Sequence, residues 1–155
     1  MRTQERLMCG VMVLLVALCS TAYAQSTSWN RKSGDWSALA GWSAGEPTVA
    51  HVAQVHNGFL VTVNASNEVC KILDIDWGSE AEIAPSGGLA VVNYVVVNNG
   101  LFTIQGSGTS DIGYIGESYA TNGTVRVTGA TATWDNSDNL YVGYVGCSSQ
   151  KPHPG

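Results

Sequence analysis

Short runs of alternating apolar and polar residues recur along the chain after residue 25, and no segment repeats apolar residues at helical spacing. Val125 and Val127, for example, alternate with Thr124, Arg126 and Thr128, which is typical of a strand with one buried face. The pattern therefore predicts an all-β chain. The predicted strands are Val52–Val55, Phe59–Val63, Cys70–Ile75, Ala81–Ile83, Leu89–Val92, Tyr94–Val97, Leu101–Ile104, Asp111–Ile115, Thr124–Val127, Ala132–Trp134 and Leu140–Val145.

The predicted breaks between these strands are rich in Asn, Gly, Ser and Pro, which tolerate positive φ or cap a bend with their side chains. They fall at 57–58, 85–88, 98–100, 106–108, 122–123 and 136–139. Asn-Gly between two strands is typical of a tight hairpin. The same dipeptide also suits the corners of a β-helix, so the breaks alone leave both arrangements open.

One pentapeptide occurs twice, as IGYIG at 112–116 and as VGYVG at 142–146. Self-similarity at this spacing is typical of solenoids, in which each repeat covers the core of the previous one. We expect Tyr114 and Tyr144 to occupy equivalent positions and to face the same side. After residue 24 the chain is long enough for roughly five turns of about 23 residues.

The segment 25–49 differs from the rest because it contains Trp29, Trp36 and Trp42 but no run of alternating apolar residues. A solenoid needs its open end covered, and an aromatic-rich first unit suits that role. The alternative is a carbohydrate-binding platform, since exposed Trp rings stack well on pyranose rings. The sequence thus predicts a cap at 25–49, repeats at 50–146 and an atypical, disordered tail at 147–155.

The first 24 residues have the pattern of a secretory signal peptide. Arg2 and Arg6 precede an apolar run that is too short to span a bilayer well, and Ala22-Tyr23-Ala24 resembles a cleavage site before Gln25. A lipoprotein would instead use Cys19 as its lipid acceptor, although the preceding Leu18 is bulky for that processing. Both alternatives predict an exported protein at the cell surface or outside the cell.

The charge of the chain narrows the classes of molecule that could bind it. Residues 25–155 contain five basic and eleven acidic residues, which disfavours nucleic acid and anionic membranes as partners.

Cys70 and Cys147 are the two cysteines beyond the signal peptide. An exported protein could pair them in a disulfide. The favoured interpretation is that Cys70 is a small buried hydrophobic residue.

Candidate chemistry is sparse. Asp74 and Asp76 lie two apart on a predicted strand and so share a face, and Glu80 and Glu82 follow. Such carboxylates could bind Ca²⁺ or cleave a polysaccharide, but a solvated acidic edge is the simpler interpretation. His51, His56 and His153 form no ligand set, and no calcium, phosphate-loop or serine-nucleophile motif is present. We therefore predict no catalytic residue, no metal and no cofactor.

Residues 106–146 contain, in order, GSG, the IGYIG pair, GTVRVTGA, a strand with Trp134, and a second Gly-containing pair. This succession resembles the repeats of bacterial type V autotransporter passengers and of PEP-CTERM-sorted surface proteins. The run GDWSALAGWSAGEP at 34–47 resembles the opening of the same proteins. Residues 50–105 are only generically similar to them.

The resemblance implies a right-handed parallel β-helix that is displayed or released outside the cell, with a role in surface display or adhesion and no enzymatic activity. It also implies a link to an outer-membrane barrel or a sorting tail. The ending CSSQKPHPG departs from the repeat, so we expect the chain to be the truncated start of a longer passenger. Its partners would be a surface polysaccharide, or a host or abiotic surface. The alternative is a secreted carbohydrate-binding or polysaccharide-acting β-helix.

Overall fold

The computed structural model describes residues 24–116 and 122–143, so the tail predicted at 147–155 and nearly all of the predicted signal peptide lie outside it. A 3₁₀ helix at Leu39–Gly41 is the longest helix in these ranges, where no helix is long and apolar enough to cross a membrane. The strands are β1 (Gln25–Ser28), β2 (Ser33–Asp35), β3 (His51–Val55), β4 (Leu60–Val63), β5 (Glu68–Asp76), β6 (Glu80–Ile83), β7 (Gly88–Asn98), β8 (Leu101–Ile104), β9 (Ser107–Ser110), β10 (Ile112–Ile115), β11 (Thr124–Val127), β12 (Thr133–Asn136) and β13 (Leu140–Val142).

The strands form two sheets in which all of these strands pair in parallel. Sheet 1 has the order β1-β3-β5-β7-β10-β13, with β9 joined to β7 and β12 joined to β9, and sheet 2 has the order β2-β4-β6-β8-β11. Neighbouring strands come from successive passages of the chain, so the molecule is a β-solenoid of about 5 turns. The predicted all-β class and solenoid are confirmed, and the Asn-Gly breaks lie at corners rather than in hairpins.

Sheet 1 bends within two long strands. The pairing of β5 with β7 shifts register between Cys70 and Ile72, and the two halves of β7 then pair with different strands, β9 and β10. A bulge of this kind bends a strand and re-aims its side chains. Each complete turn therefore contains three strand segments, one in sheet 2 and two in sheet 1.

The core consists of columns of side chains that run along the stack. In sheet 1, Val55, Ile75 and Val97 lie in register and are fully buried. Cys70 is also fully buried, as predicted for a small hydrophobic residue, and burial raises the pKa of its thiol. Cys147 lies outside the described residues. Sheet 2 contributes a matching buried column of Val63, Ile83 and Ile104.

Each strand predicted up to residue 142 overlaps a strand of the structure, whereas β1, β2 and β9 were not predicted. The predicted break at Gly106-Ser107-Gly108 is confirmed only in part: the chain bends at Gln105 and Gly106, but β9 begins at Ser107 and pairs with both β7 and β12. These three strands are short and made largely of Ser, Thr and Gly, so they carry no apolar alternation. Parallel pairing with neighbouring turns supplies the hydrogen bonds that define them.

The register at the repeated pentapeptide also differs from the prediction. Tyr114 lies opposite Tyr141, an offset of 27, whereas the sequence repeat predicts Tyr144 at an offset of 30. Tyr144 itself lies outside the described residues. In this register Gly113 lies opposite Leu140, and an added Cβ at Gly113 would be 2.7 Å from Leu140 and 2.9 Å from Trp134. The glycine of the motif thus makes room for two large side chains of the next turn.

Candidate functional site

The three Trp residues of the N-terminal segment lie inside the molecule. Trp29, Trp36 and Trp42 are 1%, 0% and 4% exposed. The Trp42 ring packs edge-on against the other two, with ring centroids 5.2 Å from Trp29 and 4.9 Å from Trp36. Its Nε1–H donates a hydrogen bond of 2.7 Å to the Trp36 carbonyl oxygen. The three rings therefore fill the interior of the first turn.

This placement bears on the two interpretations of the Trp-rich segment. Stacking on a sugar requires an exposed ring face, and each of these rings is covered. The segment contributes paired strands as well, since β1 pairs with β3 and β2 with β4. Burial favours the covering role of Trp29, Trp36 and Trp42 over a carbohydrate platform, and a sugar site has to be sought elsewhere on the surface.

A groove of about 520 Å³ runs across the outer face of sheet 1 and spans several turns. It is lined by polar, apolar and aromatic side chains, and none of the lining residues is Lys or Arg. We call it the sheet 1 groove. Its lining residues are Val52, Ile72, Asp74, Asp76, Tyr94, Val96, Asn98 and Tyr114.

The carboxylates of the groove come from one strand. Asp74 and Asp76 both line it, so the prediction that they share a face is confirmed. Nε2 of His56 lies 3.4 Å from the Asp74 carboxylate. Burial raises the pKa of Asp74, the nearby His56 opposes this shift, and the charge of Asp76 adds to it. The groove is thus an acidic surface with one partly desolvated carboxyl.

Aromatic rings continue the groove along the stack. Tyr94 and Tyr114 come from consecutive turns and meet edge to face, with centroids 5.8 Å apart. Tyr114 stacks on Tyr141 of the next turn at 5.2 Å, with an interplanar angle of 8°. Parallel strands are about 4.8 Å apart, so residues on successive turns form a ladder at that spacing. Tyr114 and Tyr141 are in register in this way, whereas Tyr94 lies opposite Ile112 and meets Tyr114 diagonally. We call the three contacting rings the tyrosine ladder.

Trp77 lies at the corner that follows Asp76, and sequence reasoning missed it. Its ring is 68% exposed and its φ is 61°. The equivalent corner positions of the turns on either side are Asn57, with φ 70°, and Asn99, with φ 53°. The dipeptides Asn-Gly, Trp-Gly and Asn-Gly thus recur at matching corners. That recurrence is the signal by which Trp77 could have been found.

The other candidate residues do not join this groove. Glu80 and Glu82 lie on β6 of sheet 2, where the Glu82 carboxylate accepts a hydrogen bond from the Gln105 amide. His51 accepts a hydrogen bond of 3.1 Å from the Thr48 amide at Nδ1. His153 lies outside the described residues. Among those described, no group of three or more His, Cys, Asp or Glu side chains could hold a metal ion.

Comparison with known proteins does not assign this chain to a family. No protein-family model matches the chain, and neither the curated proteins nor the solved structures give a significant match to it.

Proposed function

We propose that this chain is a non-catalytic, exported β-solenoid of the autotransporter-passenger type, and that it attaches to a surface or surface polymer through the sheet 1 groove. The signal-peptide pattern of residues 1–24 supports export, and the resemblance of residues 106–146 supports the passenger class. The observation that carries the binding role is the groove itself, in which side chains of several turns form one elongated surface.

The shape of this surface favours binding to an extended partner. Stacked turns repeat at a fixed spacing, so a solenoid presents long surfaces rather than one deep pocket. Asp74 and Asp76 project from the same strand and therefore lie on the same side of any bound chain. Glycoside hydrolysis normally uses two carboxyl groups that flank the scissile bond. This arrangement supports a binding role over a hydrolytic one.

Adsorption of the purified chain tests the proposal. The full chain is secreted through its own leader and offered to neutral and acidic polysaccharides and to an abiotic hydrophobic surface, with retention measured by interferometry. We expect retention on at least one surface and its loss in a Tyr94→Ser, Tyr114→Ser double variant. Leu101→Ser, on the outer face of sheet 2, is the matched control that should retain binding.

Two results would overturn this function. Equal retention of the double variant and the wild-type chain on every surface would show that the sheet 1 groove is not the contact. Release of new reducing ends from a polysaccharide, abolished by Asp74→Asn, would show that the protein is an enzyme. The raised pKa of Asp74 makes this second assay worthwhile, because general acids share that property.

A further inference from the structure

Trp77 occupies a backbone position that does not suit it. Left-handed φ values crowd Cβ against the chain, and among non-glycine residues Asn and Asp tolerate them best. The neighbouring turns follow this rule with Asn57 and Asn99 at the same corner, whereas Trp77 adopts φ 61° with a bulky ring. A strained residue of this kind is a reason to look for a function at its position.

The ring of Trp77 contributes little to packing. It is 68% exposed, while Trp29, Trp36 and Trp42 are almost completely buried. An aromatic residue of this size would normally bury its large apolar area in the core or at an interface. The corner therefore combines backbone strain with an exposed apolar ring, and neither feature stabilises the fold.

The corner adjoins the sheet 1 groove through Asp76, although Trp77 itself is not one of the lining residues. The Trp77 amide donates a hydrogen bond of 2.6 Å to Oδ1 of Asp76, which lines the groove. The next corner holds the Trp77 turn in place, since the Gly78 amide donates a hydrogen bond of 2.6 Å to the Asn99 carbonyl oxygen. Asn98, which lies opposite Asp76, also lines the groove. An aromatic platform thus adjoins carboxylate and amide groups.

These groups fit one class of ligand. Pyranose rings offer an apolar face for an aromatic ring and hydroxyl donors for carboxylate and amide oxygens. Asp74 and Asp76, without a lining Lys or Arg, disfavour an acidic polymer. We propose that Trp77 is a ligand-stacking residue and that the ligand is an uncharged polysaccharide lying between this corner and the tyrosine ladder.

This inference rests on the proposed function, and affinity measurements separate the two. The probes are laminarin, xyloglucan and hydroxyethylcellulose, with alginate as the acidic comparison, each titrated against the full chain. We expect Trp77→Asn to weaken binding of the retained neutral glycan about 10-fold or more, the loss of one aromatic contact. Leu39→Asn is the matched control, because Leu39 is also 68% exposed but lies in the 3₁₀ helix of the N-terminal segment, whereas Trp77 directly follows the groove residue Asp76.

Fluorescence gives an independent readout. Trp77 is the most exposed of the described Trp side chains, so it should dominate the acrylamide-quenchable, red-shifted emission. A bound glycan should shift this emission to the blue and protect it from quenching. The Trp77→Asn variant should lack the red component, which identifies Trp77 as its source. If Trp77 had no contact with the glycan, the wild-type emission would stay red-shifted and quenchable when the glycan is added.

The remaining outcomes overturn the inference in distinguishable ways. Neutral-glycan binding that Trp77→Asn leaves intact but Tyr94→Ser, Tyr114→Ser removes would refute the role of Trp77 and leave the proposed function standing. Retention on alginate or on a protein-coated surface, with no neutral glycan bound, would refute the assigned ligand class. Failure of the wild-type chain to bind any probe or surface would refute both proposals.

Discussion

The same column of core side chains reaches both ends of the described solenoid, but its last residue is buried at one end and exposed at the other. At the N-terminal end, Trp29 continues the buried column of Val55, and the Trp29 amide donates to the Gln54 carbonyl oxygen at 2.9 Å. At the other end of the described residues, the same column finishes in Val142, which is 70% exposed. Within the described residues, the column is therefore covered at its first turn and exposed at its last, which we call the open end.

At the covered end, a loop pairs with the outermost strand. The loop after the 3₁₀ helix returns along the outer edge of β1, where the Ser43 amide donates to the Ser28 carbonyl oxygen at 2.9 Å. Trp29 and Trp42 form an antiparallel bridge within this contact. An uncovered parallel edge is a template for pairing with another chain. The covered edge here combines an antiparallel bridge with large buried rings.

Removal of the central ring of the cap should produce the largest effect. Trp42→Ala leaves a cavity between Trp29 and Trp36 and removes the hydrogen bond to the Trp36 carbonyl oxygen, so the free energy of unfolding should fall by about 3–5 kcal/mol. Leu140→Ala at the open end, where the side chain is half exposed, should cost less than about 1 kcal/mol. Urea denaturation followed by circular dichroism measures both. Equal losses would contradict the asymmetry of the two ends.

A pair of glycines tests the same asymmetry through steric fit. A Cβ on Gly41 would overlap the Trp29 ring, so Gly41→Ala should lower the free energy of unfolding by roughly 2–3 kcal/mol. Gly143 at the open end has φ 66° and no atom within 4 Å of an added Cβ. Its replacement by Ala should cost only the backbone strain, about 1 kcal/mol. If Gly143→Ala proved the more damaging change, close packing at the cap would be refuted.

The covered end should also respond to pH. Burial, a hydrogen bond with Glu46 and the charges of Glu46 and Asp35 raise the pKa of Glu68 to about 7 from 4.5. The folded state therefore binds a proton more tightly than the unfolded chain. The contribution of Glu68 to stability is fully present below pH 4.5 and is lost as the pH rises toward 7.

This linkage predicts a fall of about 1–3 kcal/mol in the free energy of unfolding between pH 4.5 and 7. Glu68→Gln should flatten that dependence, because a neutral amide replaces the protonated carboxyl. Glu80→Gln on the outer face of sheet 2 is the control and should leave the slope unchanged. Denaturation midpoints at a series of pH values measure this pH dependence of stability in each variant. A slope that persists in Glu68→Gln would assign the effect to another group.

Much of the fold could be predicted from local patterns. Alternation in segments such as Val61–Val63 and the Asn-Gly corners revealed strands and turns, because each is decided by nearby residues. The strand β9 and the pairing of Tyr114 with Tyr141 were missed, since both depend on contacts between turns. The cluster of Glu46 and Glu68 was also beyond reach, because a long loop and another strand bring those residues together.

The candidate site was predicted only in part, for the same reason. Alternation within β5 predicted that Asp74 and Asp76 share a face. The alignment of these carboxylates with Tyr94 and Asn98 depends on the register between turns, which the sequence does not display. The exposed Trp77 was not recognised, whereas the covering role predicted for Trp29, Trp36 and Trp42 is favoured by their burial.

The smallest predicted change in stability concerns Trp77, at a corner between the two ends, where packing of the exposed ring does not offset the backbone strain. Trp77→Asn gives this corner the residue type found at Asn57 and Asn99, so the free energy of unfolding should rise by about 1 kcal/mol. The reciprocal change, Asn99→Trp, should lower it by a similar amount. Urea denaturation of both variants measures the pair. A loss of stability in Trp77→Asn would mean that the ring packs usefully and that the corner needs no functional explanation. A gain, together with weaker glycan binding, would mean that the chain keeps a destabilising residue because of what its exposed ring binds.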